Sequence, residues 1–376
     1  MKSPGVLLGI CLCYLASEAL ATNDARVHEA VDTPARAFFA ANPTAVGASI
    51  GVWQHGSNYT FNFGSVLRGG RRAPTADTIY AIGSITKTFT GILLAQAQLA
   101  GKLRLDDDVR KYLNGSYPNL EFDGHPIRIC DLVDHRSGLP FLMPERPELL
   151  PDFPGDEPMV SRVARILAHY SRADFFDDLH RVKIETVPGE GFKYSNTGAM
   201  LAGYILERVY GESYESLLRR KILRPLGMTN TTITLSTKQS ALRTRGYHGA
   251  GVLMPDNPDA IQGAGAIKST VNDLLRYAAW QIRERDPAVQ LAHRPYATSG
   301  NYAAGLNWQM LHAPGKRVIW QSGNLDGFHA YCIVEPELEL ALIVLFNQED
   351  QTTNIAHAVL VNEILKNLEP AALLLP

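Results

Sequence analysis

A chain of 376 residues with 45% apolar and 20% charged side chains can bury a large core, and it exceeds the usual size of one domain. Its formal net charge of −2 gives no electrostatic reason to bind nucleic acid or an anionic membrane. Beyond the N-terminus no stretch approaches the roughly 18 continuous apolar residues of a membrane span, so no transmembrane anchor is expected.

The N-terminus has the layout of an export signal: Lys2 at the start, an apolar core from Val6 to Leu15, and a small-x-small site at Ala19-Leu20-Ala21. Residues 1–21 are read as a leader and 22–376 as a periplasmic or secreted domain. Cleavage would remove Cys11 and Cys13, leaving Cys130 and Cys332, whose pairing the spacing does not decide. Residues 24–41 carry a helical pattern. Ala45 to Trp53 and Tyr59 to Phe63 alternate like the strands of a hairpin. Within the first lies Gly47-Ala48-Ser49-Ile50-Gly51, a G-x-S-x-G match in form only, since that elbow needs a strand, a sharp turn and a helix.

The next stretch is the most informative. Ile79 to Ile82 is strand-like, Gly83 breaks it, and apolar residues at Ile85, Phe89, Ile92 and Leu93 then recur at helical spacing. Ser84 therefore sits in the first turn of a helix with Lys87 one turn on, close enough for hydroxyl and amine to meet. A serine hydroxyl needs a proton acceptor to attack a carbonyl, and a buried lysine can be that acceptor because desolvation disfavours its ammonium. No other serine in the chain has a lysine three residues on.

From Tyr112 to Pro126 the chain reads as a loop-rich connection into a helix over Ile129 to His135. Prolines at 140, 144, 147, 151, 154 and 158 exclude regular structure there, and helices are expected at Met159 to His169, Met200 to Val209, Tyr214 to Leu223 and Asp273 to Arg283. Tyr-x-Asn occurs at Tyr112-Asn114, Tyr117-Asn119 and Tyr194-Asn196. Only the third lies in a tight loop entering a helix, Pro188 to Gly198, where a phenol and an amide can point into a cleft. A phenol acts as a base when a neighbouring ammonium lowers its pKa, and Lys87 is the candidate neighbour.

Val318 to Gln321, Phe328 to Val334 and Leu338 to Phe346 are strand-like, and Asn354 to Leu368 closes the chain as a helix. Strands at both ends and helices between predict an α/β fold: a sheet lobe from about 22–80 and 300–376, an antiparallel sheet flanked by helices, and an all-helical lobe mainly between. The eleven histidines are scattered, with no H-E-x-x-H and no C-x-x-C, so neither a metal nor a cofactor is expected, and His135 reads as structural.

Taken together, Ser84-Ile85-Thr86-Lys87, Tyr194-Ser195-Asn196 and Gln321-Ser322-Gly323 resemble the three motifs of the serine β-lactamase and D,D-peptidase superfamily. With the flanks Thr88-Phe89-Thr90-Gly91 and Pro225-Leu226-Gly227-Met228, the likeness is to its class C branch, which includes D-alanyl-D-alanine carboxypeptidases and related esterases. The resemblance implies a β-lactamase-like fold, a monomer acting on a small-molecule or peptide substrate, and a Ser84 acyl-enzyme. Lys87 and Tyr194 would share the proton transfers, with the division between them open. Asn196 would bond the substrate amide, and the N–H groups of Ser84 and Asn324, the latter placed on an edge strand, would form an oxyanion hole. One departure stands out: the family usually has Lys or His where this chain has Gln321, so a substrate carboxylate lacks its cation unless Lys316, Arg317 or His329 supplies one. Besides β-lactam and D-Ala-type peptide hydrolysis, a carboxylesterase for neutral esters and a non-hydrolytic penicillin-binding sensor are alternatives.

Overall fold

Eight strands form one antiparallel sheet: β1 (Gly47–Gln54), β2 (Ser57–Gly64), β3 (Ala297–Ser299), β4 (Tyr302–Ala304), β5 (Gln309–Ala313), β6 (Lys316–Leu325), β7 (Phe328–Glu335) and β8 (Leu340–Phe346). Their spatial order is β2-β1-β8-β7-β6-β5-β4-β3, so the two ends of the chain meet where β1 pairs with β8. Five helices cover this sheet or frame the cavity beside it: α1 (Gly5–Ala41), α2 (Thr86–Leu99), α3 (Asn196–Tyr210), α4 (Val271–Arg283) and α5 (Gln351–Leu368). The structure, a computed structural model, describes residues 5–144, 166–249, 251–256, 261–325 and 327–376, with backbone alone for 5–22.

Both faces of the sheet are covered, which is why its central strands are apolar throughout. In β7, Ala330, Cys332 and Val334 enter the core shared with the helical region, whereas Tyr331 and Ile333 enter a second core beneath α1 and α5. A strand buried on both faces has no place for a polar side, so β8 reads Leu-Ala-Leu-Ile-Val-Leu-Phe with every residue buried. Val27, Ala30, Val31, Ala35 and Phe38 supply the α1 stripe, and Leu360, Val361, Ile364, Leu365 and Leu368 that of α5. The opposite face holds α4, and Gly51 of β1 permits its close approach: a Cβ there would lie 2.6 Å from Val271 Cγ1. Of the outermost strands, β2 is partly exposed along most of its length.

Helix α2 is the axis of the helical region, buried without interruption from Thr86 to Ala95. Its hydroxyls are satisfied internally: Thr88 donates to Ile85 O at 2.8 Å and Thr90 to Gly263 O at 2.7 Å. Ser84 itself lies in a 3₁₀ turn, Gly83–Ile85, just ahead of α2.

Several expectations are revised. The strand carrying Asn324 is not at the sheet edge, because β5 and two short hairpin strands lie outside it. That pairing ends at Trp320, however, so from Gln321 onward β6 is open on its β5 side. The strands β3, β4 and β5 are too short for alternation to reveal them in the sequence. Tyr214 to Leu223 begins as an α-helix (Tyr214–Leu218) and continues as a π-helical turn (Arg219–Leu223). Most of the proline-rich segment and of the helix expected at 159–169 lies outside the described residues. Cys130 and Cys332 are both free thiols. Helix α1 continues unbroken through Ala19-Leu20-Ala21, and among the described residues no helix is long and apolar enough to cross a membrane.

Candidate active site

A cavity of about 500 Å³ opens between the sheet and the helical region, lined among others by Ser84, Tyr194, Asn196, Gln321, Ser322 and Asn324. Two glycines bring its halves together. Gly83 takes a left-handed φ of +49°, and a Cβ there would lie 3.0 Å from the backbone nitrogen of Asn324. Gly323 passes so close to the serine turn that a Cβ would overlap Ile82 O at 2.1 Å and lie 2.9 Å from the nitrogen of Ser84. The backbone nitrogens of Ser84 and Asn324 are therefore neighbours, although 240 positions separate them in sequence. The strand-like Tyr80–Ala81 pairs with Lys268–Ser269 and fixes the approach to the turn.

Lys87 lies behind Ser84 and is fully buried. Its Nζ donates to Ser84 Oγ at 2.9 Å, Asn196 Oδ1 at 2.7 Å and Ala264 O at 2.8 Å. All three acceptors are uncharged. With no carboxylate to hold its proton, burial brings the amine down to about 7, so its unprotonated form is accessible near neutral pH.

The Tyr194 ring lies with its centroid 5.0 Å from Lys87 Nζ. Its phenol departs from expectation: rather than being lowered by Lys87, it is pushed up to about 12 by burial, with the neighbouring Ser84 hydroxyl offsetting part of the rise. The reason is the same desolvation that neutralises the lysine, since an amine that is itself readily deprotonated gives little support to a phenolate.

The Tyr194-Ser195-Asn196 segment is held from three sides. Ser195 caps α3, accepting from Gly198 N at 2.9 Å and donating to Pro140 O at 2.7 Å. Asn196 N donates to Phe141 O at 2.7 Å. His135, whose φ is +65°, receives the Ser195 N–H on Nδ1 at 3.3 Å, and its ring lies 4.2 Å from that of Tyr194. Burial, followed by the charge of Lys87, lowers His135 to about 3, so it stays neutral and keeps that acceptor available. His135 thus supports the cavity; the sequence reads it as structural but does not show what it holds.

Gln321 is buried and bonded through both ends of its amide. Its Nε2 donates to Asn307 O at 3.1 Å, and its Oε1 accepts from Gln309 Nε2 and from Ser322 N, both at 3.1 Å. Asn307 in turn donates through Nδ2 to the Lys87 carbonyl at 2.9 Å. None of the three suggested substitutes for a cation serves here. Lys316 bonds Ala371 O, Arg317 pairs with Glu284 and Glu337, and His329 bonds His357 in the core beneath α1 and α5, on the other face of the sheet. A residue not singled out from sequence, Glu349, also lines the cavity. Its position is the only hint: it belongs to the polar run Asn347-Gln348-Glu349-Asp350 that succeeds the buried strand β8.

The rival motifs lie elsewhere. Ser49 is fully buried in β1, donating to Asn62 Oδ1 at 2.8 Å and lying 3.0 Å from the Tyr80 hydroxyl. Asn119 is occupied by the carbonyls of Leu179 and Val182, and Tyr117 stacks on His180 at 4.0 Å. Tyr112 and Asn114 line a separate cavity of the helical region.

The chain is similar to known proteins over most of its length. The Beta-lactamase family profile matches residues 35–366. A Beta-lactamase of Pseudomonas fluorescens is 26% identical over 84% of this chain and 92% of that protein. Among solved structures, a class C beta lactamase superposes with a TM-score of 0.77 at 24% identity, over 92% of this chain and 98% of that one. A Beta-lactamase/D-alanine Carboxypeptidase from Yersinia pestis complexed with citrate gives 0.74 at 25% identity, over 91% and 98%. A family match spanning most of the chain and a shared fold lead to one conclusion: the chain belongs to the beta-lactamase family of serine hydrolases.

Proposed function

We propose that the protein hydrolyses carboxylic esters or amides through an acyl-enzyme on Ser84, acting as a monomer outside the cytoplasm after loss of residues 1–21. The observation that carries this reading is the buried Lys87 amine, 2.9 Å from Ser84 Oγ and without an acidic partner. In the neutral form it accepts the serine proton as Oγ attacks the acyl carbon. Tyr194, protonated across the working pH range, is the better proton donor and passes a proton to the leaving group. Lys87 Nζ occupies Asn196 Oδ1, which leaves the Asn196 Nδ2 to donate to a substrate carbonyl. The N–H groups of Ser84 and Asn324 receive the oxyanion, a contribution of about 3 to 4 kcal/mol per donor in comparable sites. Water entering the cavity then releases the acid.

Gln321 bears on the choice of substrate. With its amide committed to Asn307 and Gln309, it offers no positive charge to a carboxylate, so neutral esters and amides are favoured over β-lactams and D-Ala-D-Ala peptides. The names of the relatives, Beta-lactamase and Beta-lactamase/D-alanine Carboxypeptidase, support β-lactam or D-peptide hydrolysis as a second reading. The test is a side-by-side panel of nitrocefin, a D-Ala-D-Ala peptide, a D-amino-acid amide and a short-chain p-nitrophenyl ester, with intact-mass detection of the acyl-enzyme. Turnover of ester or amide that disappears in Ser84→Ala supports the proposal. A β-lactam adduct on Ser84 that persists for hours without turnover would instead identify a sensor. N-terminal sequencing of exported protein tests the leader, with Thr22 as the expected first residue.

A further inference from the structure

The electrostatics of the cavity go further than the missing cation at Gln321. Among the described residues lining it, Glu349 is the one charged side chain. Lys87 lies behind the serine with its ammonium hydrogens committed to three acceptors. Glu349 is held in place: Oε1 accepts from Asn354 Nδ2 at 3.3 Å, and Oε2 lies 3.3 Å from His248 Nδ1. Its strand, Gln348–Glu349, pairs with Tyr247–His248, which fixes both partners. Among the described residues its one ion-pairing neighbour is His248, a cation only when protonated, and it has no lysine or arginine partner. The remaining walls are largely apolar, including Phe141, Leu142, Leu167, Ile261 and Leu325.

We propose that Glu349 is a specificity residue that selects acyl substrates combining an apolar body with an ammonium group, and that it rejects substrates bearing a carboxylate. The proposal rests on the reading of Ser84 as nucleophile, because it concerns substrates of that same cavity. A fixed carboxylate in a partly desolvated cavity attracts a substrate cation and repels an anion, and both effects are stronger there than in water. The neutral amide of Gln321 provides nothing to oppose it.

Three p-nitrophenyl esters of similar length test this: butyrate, 4-(trimethylammonio)butyrate and monoglutarate. In each, Ser84 Oγ bonds to the acyl carbon, p-nitrophenolate leaves with the ester bond's electron pair, the serine proton passes to Lys87, and water later cleaves the acyl-enzyme to the acid. Each kcat/KM is divided by that for butyrate, so that a general loss of activity cancels. The wild type is expected to prefer cation over anion. Glu349→Gln should lower that cation-to-anion ratio by about tenfold, and Glu349→Lys should invert the preference. A ratio unmoved by both variants overturns the assignment. Binding of the matching non-hydrolysable anilides to Ser84→Ala protein, followed by calorimetry, reads the same preference without chemistry. If no ester is turned over but the ammonium anilide still binds more tightly and Glu349→Gln abolishes the difference, the hydrolase reading fails and the role of Glu349 stands. Equal binding of the charged anilides overturns the role of Glu349 whatever the turnover.

Discussion

Replacing Lys87 by Met removes the amine while keeping an unbranched side chain, and its effect on stability should depend on pH in a way few other substitutions would reproduce. In the folded protein burial brings the amine to about 7, against an ordinary value of 10.5. Between those two values the unfolded chain holds a proton that the native state has released, so the free energy of unfolding rises with pH by about 1.4 kcal/mol per unit for this group. From about pH 7.5 to 9.5 the wild type should therefore gain roughly 3 kcal/mol relative to Lys87→Met, which has no such group. Below about pH 7 both states are protonated, so the difference should level off, with the burial penalty of the ammonium present in full. Tyr194, pushed up to about 12, does not titrate in the window. Urea unfolding of both proteins at half-unit steps gives the difference directly. A flat difference between pH 7.5 and 9.5 would refute the argument, because it would mean that the folded amine keeps its proton and cannot act as the acceptor for Ser84. The same titration should appear in the wild-type rate as a fall in kcat/KM below about pH 7.

Three further outcomes are expected. Ser84→Ala should abolish acyl-enzyme formation by mass spectrometry, whereas Ser49→Ala should acylate normally and lose about 1 to 2 kcal/mol of stability, since Asn62 and Tyr80 lose a buried partner. If Ser49→Ala also blocks acylation, the choice of nucleophile is wrong. Gln321→Lys and Gln321→His should raise kcat/KM for a cephalosporin or a D-Ala-D-Ala peptide by about tenfold, and no gain would count against a charge-deficient cavity. The buried His329 and His357 have nitrogens 3.1 Å apart, and burial lowers His329 to about 4 and His357 well below its ordinary 6.5. Because the unfolded chain binds these protons first, stability should decline as pH falls from about 6.5 towards 4. His357→Phe, which retains a ring against Phe346, should make that decline shallower in thermal unfolding scans, and an unchanged acid slope would show that other groups cause it.

How much of the site is legible in the sequence depends on how far apart its parts lie along the chain. Ser84 and Lys87 share one helical turn, so a local periodicity places them together. Tyr194, Asn196 and Gln321 are remote, and only likeness to a family joins them to the serine. That likeness singles out Gln321 as a departure, but it cannot say where Lys316, Arg317 and His329 face. Strand alternation turns Lys316 and His329 to the other face of the sheet, with Val318, Trp320 and Tyr331, whereas Arg317 shares the face of Ile319 and Gln321 but lies four residues along β6 and is held there by Glu284 and Glu337.

Sequence by itself determined the paired serine and lysine, the strands β1, β2, β7 and β8 with the all-apolar run of β8, and the helical middle, because each is set by residues within a few positions of one another. Tertiary structure alone decided the rest. Lys87 is buried beside three neutral acceptors, His135 supports Tyr194 and Ser195, the phenol keeps its proton, and Glu349 enters the cavity. Burial and electrostatic environment belong to the space between elements, and that space exists only after segments hundreds of residues apart have packed together.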